Sequence, residues 1–416
     1  MDSPRIFFSA GEPSGDLHAA ELITKLKEKS PNAKIVGYGG PKMQEVGCEL
    51  LLDLTQFAIM WFGRVIKNFL TFRKIVYDAD AYFAANKVDA VILVDYPGLN
   101  WWIAKKAKKH GIPVFYFMPP QIWSWATWRI KKMKKYVDYV LCCLPFERRW
   151  FEQHGCNVEY IGHPFFEEVR NRQPDAEFID QLRASVPSGE KLIAILPGSR
   201  NQEVHANFDE MLSGAELVRK IDTKVKLTVA AFKESHKEWI EKRIADRQIP
   251  SDAISVYVGK TPEIMQVADC CVAVSGSVSL ELLASNCPAV IYYRVSRLGH
   301  FVQRFFRRSR YITLVNLLAV DREDKLSGEE TLSVFYKEYP IPAEPSAEDY
   351  QRMLFPEFLA NQSGSLEIAR IVLDWFKDEN ALPALRKKLA ELLSEVDQGE
   401  STVNHAAEYI LKTIAK

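Results

Sequence analysis

The stretch IFFSAGEPSGDLHAAELITKLKE, residues 6–28, decides the fold class of the chain. Its apolar start at residues 6–8 is typical of a buried strand, and the apolar spacing over residues 19–26 predicts a helix soon after it. Two glycines and a proline turn the chain between these elements, with Ser14 as a predicted helix cap. A strand, a tight turn and a helix in succession form the unit of an α/β protein, which places ligands at that turn.

The turn does not have the chemistry of a dinucleotide site. It lacks the GxGxxG pattern and carries Glu12 and Asp16, whose carboxylates are poor neighbours for a pyrophosphate but good acceptors for sugar hydroxyls. Glu12, Ser14 and Asp16 are therefore candidate substrate-binding residues. The alternative is a solvated turn whose acids only favour the helix N-terminus.

Ten strand-like runs, five before residue 145 and five after residue 190, alternate with helix-like runs along two halves of the chain, which predicts two parallel sheets. The rhythm pauses near residues 165–190 and restarts with KLIAILPGSR, so we expect two Rossmann-like domains facing a cleft, followed by a helical C-terminus. The predicted domains are residues 1–170, residues 171–362 and the helices of residues 363–416, the last packing across the other two. Residues 320–355 have weak periodicity and are interpreted as an insertion or long loop.

Composition excludes several classes of protein. The 416 residues are expected to exceed a single core, and 54 Lys and Arg balance 54 Asp and Glu, which argues against a general nucleic-acid binder. The seven cysteines lack CxxC spacing and are interpreted as buried thiols of a cytosolic protein. No HExxH motif or His/Cys cluster predicts a metal site, and neither a secretion signal nor a membrane span is predicted.

The stretch ILPGSRNQEV, residues 195–204, follows a buried strand in the second half and opens a helix. Ser199 is a predicted cap, and Arg200 adds a bidentate cation beside the backbone N–H groups of the first helical turn. This combination predicts a diphosphate site. An ordinary turn with a surface arginine is the alternative.

The stretch AVSGSVSLELLA, residues 273–284, repeats this arrangement after another strand. Gly276 and Ser277 turn the chain, and Glu281 lies one turn inside the helix, where its carboxylate can accept two ribose hydroxyls. Taken alone, Glu281 is equally consistent with a helix-surface acid.

Asp95 ends the apolar strand in VILVDYPGLNWW, residues 91–102. A carboxylate at the carboxyl end of a strand can act as general base toward a sugar hydroxyl, although an Asp in this position often caps the following turn.

Three segments combine basic and aromatic residues: residues 60–74, 118–136 and 293–311. Such blocks in a neutral protein suggest contact with anionic lipid, while core packing of the aromatic residues is the alternative. Within the first block, Trp61, Arg64 and Phe69 are the candidate lipid-contacting residues.

The ordered blocks SAGEPSGDLHAAELI, GYGGPKM, VDYPGLN, GIPVFYFMPPQIWSW, YIGHP, LPGSRNQEV, SGSVSLE and LVNLLA resemble those of the lipid-A-disaccharide synthases over most of residues 5–320. The resemblance implies a glycosyltransferase B fold that needs no metal or other cofactor and is peripheral to the cytoplasmic face of the inner membrane. The implied reaction moves diacylglucosamine from UDP onto the 6-hydroxyl of diacylglucosamine 1-phosphate with inversion, and the opening turn then faces the acceptor.

The resemblance also implies roles for single residues. Asp95 is the candidate base, Arg200 holds the diphosphate, Glu281 the ribose, and Asn316 of LVNLLA belongs to the donor side. Gly98 replaces a second acid found in many relatives, and residues 60–64 depart from the family pattern. A transferase or epimerase with another acceptor, or a silent lipid- or nucleotide-binding paralogue, remains an alternative, and a homodimer is compatible with the sequence.

Overall fold

The computed structural model describes residues 3–56, 69–329, 332–337, 339–342, 344–397, 399 and 401–415. The chain forms two compact units. The first comprises Met1–Glu167 with Asp397–Lys416, and the second comprises Glu168–Val396.

The first unit is built on a seven-stranded parallel sheet with the order β3-β2-β1-β4-β5-β6-β7. Its strands are β1 (Arg5–Ala10), β2 (Lys34–Gly39), β3 (Glu49–Asp53), β4 (Ala90–Val94), β5 (Val114–Phe117), β6 (Tyr139–Cys142) and β7 (Val158–Tyr160). Its helices are Pro13–Lys29, Pro41–Glu45, Phe69–Ala85, Pro97–Lys109, Ile122–Trp125, Ile130–Tyr136, Pro145–Gln153 and Thr402–Ile414. The central strands β1 and β4 are almost fully buried, as expected for a sheet covered on both faces.

The second unit is built on a six-stranded parallel sheet with the order β10-β9-β8-β11-β12-β13. Its strands are β8 (Lys191–Leu196), β9 (Val225–Ala231), β10 (Ile254–Val258), β11 (Cys270–Ala273), β12 (Ala289–Arg294) and β13 (Glu357–Ala360). Its helices are Ala176–Ala184, Asn201–Ile221, Glu234–Asp246, Thr261–Val267, Val278–Ala284, Arg297–Phe306, Leu314–Ser327, Ala347–Arg352, Ser365–Lys377 and Ala381–Val396. Helix Pro164–Asn171 carries the chain from the first unit into the second.

The helical C-terminus is confirmed, and its helices are divided between the units. Ser365–Lys377 and Ala381–Val396 belong to the second unit, whereas Thr402–Ile414 returns to the first. There Val403, Ala406 and Ile410 join the same apolar core as helix Pro13–Lys29.

The predicted strand rhythm is confirmed at ten strands, and β3, β7 and β13 are additional. All three lie at the edge of a sheet and are only partly buried, so they lack the continuous apolar run that identifies an interior strand. The strand order reverses between β1 and β4 in the first unit and between β8 and β11 in the second. Each reversal leaves a crevice at the carboxyl ends of the strands.

Across the described part of the chain, no helix has the length and apolar character needed to cross a membrane.

Candidate functional site

A pocket of about 440 Å³ opens in the first unit at the point where the strand order reverses. Its walls come from the segments after β1, β4, β5 and β6, because the carboxyl ends of parallel strands meet at one edge of the sheet. Ser14 and His18 of the opening helix line it, together with Asp95 after β4. The structure therefore brings two of the predicted site residues, Ser14 and Asp95, into one pocket.

Asp95 is held in an unusual backbone conformation. Its φ is 46° and that of Tyr96 is 43°, two successive residues in the left-handed region that side chains normally avoid. The Asp95 carbonyl accepts hydrogen bonds from Tyr116 Oη at 2.8 Å and from Asn100 Nδ2 at 2.7 Å. Gly11 leaves room for the Tyr96 ring in this conformation, since a Cβ at residue 11 would lie 2.2 Å from that ring. Four residues from three segments thus fix the backbone of Asp95 at the pocket.

Two acids near this pocket, Asp95 and Glu12, have raised pKa values. Burial raises the pKa of Asp95, and the Tyr96 N–H and His18 partly oppose that rise. The pKa of Glu12 is also raised, first by burial and then by the negative charge of Asp95. A desolvated carboxylate with a raised pKa binds a proton more readily, which is the property required of a general base.

Asp16 does a different job from the one predicted. Its carboxylate is buried and accepts the backbone N–H groups of Gly40 at 2.8 Å, Lys42 at 3.0 Å and Met43 at 3.1 Å. These bonds hold the start of helix Pro41–Glu45, where unpaired N–H groups need an acceptor. Asp16 is therefore an anchor of the following turn, and its role as a sugar ligand stays a prediction.

The predicted cap of the first helix is also wrong. Helix Pro13–Lys29 has Glu12 at its N-cap position and Pro13 in its first turn, so Ser14 already lies inside the helix. Proline suits this position because its missing N–H would have no partner there.

Three further side chains of the pocket were missed by the sequence analysis: Arg129, Glu147 and His163. The Arg129 guanidinium stacks on the Trp125 ring at 4.9 Å. Glu147 accepts Trp123 Nε1 at 2.7 Å and the N–H groups of the chain after β6, and burial raises its pKa to about 7 against these donors. Two signals were present in the sequence: the basic and aromatic block of residues 118–136, which contains Arg129, and the block YIGHP, which contains His163.

His163 is neutral at physiological pH. Burial, followed by the nearby His18, lowers its pKa to about 4. Its Nδ1 accepts the Phe165 N–H at 3.3 Å, which places the ring proton on Nε2. The side chain can therefore donate one hydrogen bond without adding a charge.

The second unit places Arg200 where the strand order of its own sheet reverses. Arg200 is the N-cap residue of helix Asn201–Ile221, so the predicted cap at Ser199 is one residue early. Its side chain is 80% exposed, and Nη1 contacts Glu203 Oε1 at 3.0 Å. Gly198 has a φ of 113°, a conformation that a side chain rarely adopts, and it stands in the turn before a 21-residue helix. The first N–H groups of such a helix have no carbonyl partner within it.

The neighbouring turn after β11 lies beside this one in the sheet. Gly276 and Ser277 are exposed, and Ser277 is the N-cap residue of helix Val278–Ala284. Glu281 is partly buried and lies 3.6 Å from Arg172 Nη1. Burial raises the pKa of Glu281 while Arg172 opposes the rise. The ribose-binding role of these residues stays a prediction.

Asn316 is enclosed in the second unit, where its side chain makes structural bonds. Its amide donates to the Phe355 carbonyl at 2.7 Å and to Glu357 Oε2 at 3.0 Å, while its oxygen accepts the N–H groups of Leu354 and Phe355. The side chain is fully buried with these bonds made. It joins helix Leu314–Ser327 to β13 and has no bonding capacity left for a substrate.

The predicted lipid-contacting residues are placed only in part. Phe69 begins helix Phe69–Ala85, and Trp61 and Arg64 lie outside the described residues. Within the described ranges, no group of three or more His, Cys, Asp or Glu side chains is arranged to hold a metal ion.

Comparison with known sequences gives a consistent result. The sequence model of a family described as lipid-A-disaccharide synthetase matches residues 6–326. Lipid-A-disaccharide synthase of Myxococcus xanthus is 32% identical over 79% of this chain and 85% of its own length. Lipid-A-disaccharide synthase 1 of Legionella pneumophila is 28% identical over 96% of this chain and 95% of its own.

Comparison with solved structures identifies the fold. The calicheamicin glycosyltransferase CalG4 superposes with a TM-score of 0.55 at 14% identity, covering 100% of this chain and 99% of that one. Two parallel sheets of this order, with their helices, form the glycosyltransferase B fold, as expected from the sequence.

Proposed function

The chain belongs to the lipid-A-disaccharide synthetase family, and we propose that it transfers 2,3-diacylglucosamine from UDP to the 6-hydroxyl of 2,3-diacylglucosamine 1-phosphate. The products are UDP and a β-1,6-linked disaccharide. The observation that carries the proposal is the strained, desolvated carboxylate of Asp95 in the first-unit pocket.

The acceptor sugar binds in that pocket. Asp95 takes the proton of the acceptor's 6-hydroxyl while the hydroxyl oxygen attacks C1 of the donor sugar. The bond from C1 to the diphosphate oxygen breaks, and its electron pair goes to UDP. Attack on the face opposite the leaving group inverts C1. His163 supplies a neutral donor, so it can orient a sugar hydroxyl without competing for the proton of Asp95.

Arg129 holds the acceptor's 1-phosphate. Its guanidinium faces the same pocket and is kept in position by stacking on Trp125. A planar guanidinium matches phosphate oxygens with two parallel hydrogen bonds, which makes arginine suited to this role.

The donor's UDP binds to the second unit. Arg200 and the first N–H groups of helix Asn201–Ile221 meet the diphosphate and stabilise the negative charge that develops as UDP leaves. Ser199, Gly276 and Ser277 shape the two turns, and Glu281 accepts the ribose hydroxyls.

Both substrates carry acyl chains that belong in a membrane, so the protein works at a membrane surface. We propose peripheral binding to the cytoplasmic face of the inner membrane through anionic lipid, with Trp61, Arg64 and Phe69 among the contacts. The excess of Lys and Arg in the three basic and aromatic blocks supports this placement.

The direct test incubates the full chain with UDP-diacylglucosamine and diacylglucosamine 1-phosphate and detects the products by mass spectrometry. We expect the disaccharide phosphate and UDP in equal amounts, and about 10² to 10⁴-fold slower formation of both with Asp95→Asn. UDP release without the disaccharide would indicate a different acceptor. A failure to turn over while UDP still binds would favour a silent paralogue.

A further inference from the structure

Helix Arg297–Phe306 in the second unit is amphipathic in the opposite sense from a packed helix. Its large apolar side chains follow helical spacing along one face: Leu298, Phe301, Val302, Phe305 and Phe306. They are between 40% and 72% exposed, and the helix has no buried residue. An ordinary surface helix turns such a face into the core.

The polar face of the same helix is turned toward the protein. His300, Gln303 and Arg307 line a cavity of about 480 Å³ beside β13. Arg304 Nε donates to the Ile341 carbonyl at 2.9 Å, which fixes the helix on that side. These polar contacts set the orientation of the helix, so its apolar face points away from the unit.

The segment of sequence that contains this helix is positively charged. Residues 282–320 contain six arginines and no Asp or Glu. Arg310 is neutralised by Asp349 at 2.6 Å, whereas Arg294 and Arg297 are exposed. Arg308 stacks over the Tyr339 ring at 3.6 Å. An apolar strip with flanking arginines complements the boundary between anionic headgroups and acyl chains.

We propose that helix Arg297–Phe306 lies in the plane of the membrane and inserts its apolar face into the headgroup boundary of an anionic bilayer. This deepens the proposed function, on which it rests for the membrane-borne substrates. It gives the donor-binding unit its own lipid contact, separate from residues 60–74.

The test is vesicle sedimentation of the full chain with phosphatidylcholine alone and with added phosphatidylglycerol. We expect Phe301→Ser combined with Phe305→Ser to weaken binding to the anionic vesicles by at least about tenfold, since two aromatic side chains lose their apolar burial. Phe301→Leu with Phe305→Leu should retain binding. Ile221→Ser with Leu326→Ser removes equally exposed apolar side chains elsewhere on the unit and should have no effect.

A second measurement separates this inference from the proposed function. With detergent-dispersed substrates, the serine variant should form disaccharide at the unaltered rate, while on vesicles its rate should fall with its binding. Absence of any transfer by the unaltered chain would refute the proposed function and leave the binding result readable. Equal vesicle binding by the serine variant would overturn the inference. So would conversion of a dimer to a monomer with lipid binding retained, because the face would then join two copies.

Discussion

Asp95→Asn tests the chemical core of the proposed function. Asparagine keeps the volume and an oxygen that can accept the Tyr96 N–H, and it is among the residues that best tolerate the left-handed φ of 46°. The bonds from Tyr116 and Asn100 go to the backbone carbonyl of residue 95, so the substitution leaves them in place. The substitution removes the negative charge of the carboxylate and, with it, the ability to take a proton.

Loss of a general base lowers kcat by about 10² to 10⁴-fold, or about 3–5 kcal/mol of transition-state stabilisation. UDP binding should be unchanged. Because the base must be ionised, activity of the unaltered chain should fall as pH drops through the raised pKa of Asp95, and this acid limb should be absent in Asp95→Asn.

The assay is disaccharide formation at saturating substrate across pH, with Glu12→Gln as the matched control. Glu12 also has a raised pKa and lies within electrostatic reach of Asp95. We expect the control to keep the acid limb. A loss of less than about tenfold in Asp95→Asn would refute the assignment and move the proton to His18 or Glu12.

Three further substitutions test separate parts of the site. Asp16→Ala should lower the free energy of unfolding in urea by about 3–5 kcal/mol, because three backbone N–H groups lose their acceptor; a loss below about 1 kcal/mol would contradict the anchoring role. UDP at a hundred times its Kd should stabilise the full chain by about 2.7 kcal/mol. Arg200→Ala should remove most of that shift in a thermal melt while exposed Arg370→Ala keeps it, and equal shifts would take Arg200 out of the diphosphate site. Arg129→Gln should raise KM about tenfold or more for the phosphorylated acceptor but not for one lacking phosphate, with exposed Lys132→Gln as control; an equal rise for both acceptors would contradict phosphate binding.

The fold was predictable because its interior strands have a recognisable sequence pattern. Strands such as β4 and β8 are apolar runs followed by turn residues and a helix, and burial on both faces demands that composition. Edge strands escape that demand, which is why β3, β7 and β13 were missed.

The sequence placed Ser14 and Asp95 after neighbouring strands, and both line one pocket, but it did not show which polar side chains make structural bonds. Asp16 and Asn316 stand in family-like motifs beside the expected turns, and a polar side chain there is typical of either a ligand contact or a structural bond. Their partners are backbone groups 24–27 and 38–39 residues further along the chain, and only the folded structure brings them together. Arg129 and Glu147 could not be assigned because no local pattern shows that they share a pocket with Asp95.

The two aspartates near the first-unit crevice show how physical environment separates a structural acid from the proposed base. Three N–H donors satisfy the buried carboxylate of Asp16, so its charge stabilises the fold. Asp95 has a left-handed backbone conformation, which costs about 1–3 kcal/mol, and its carboxylate is desolvated.

Since the pKa of Asp95 is raised on folding, the folded state binds this proton more readily than the unfolded chain does. The stability that this group contributes is therefore present at low pH and is lost as pH rises through its raised pKa. Asp95→Asn removes a charge that the folded state disfavours, so it should raise the melting temperature at neutral pH while lowering kcat. Asp16→Ala should lower the melting temperature under the same conditions. Destabilisation by both substitutions would mean that Asp95 also serves the fold, and the case for it as the base would then depend on the pH profile alone.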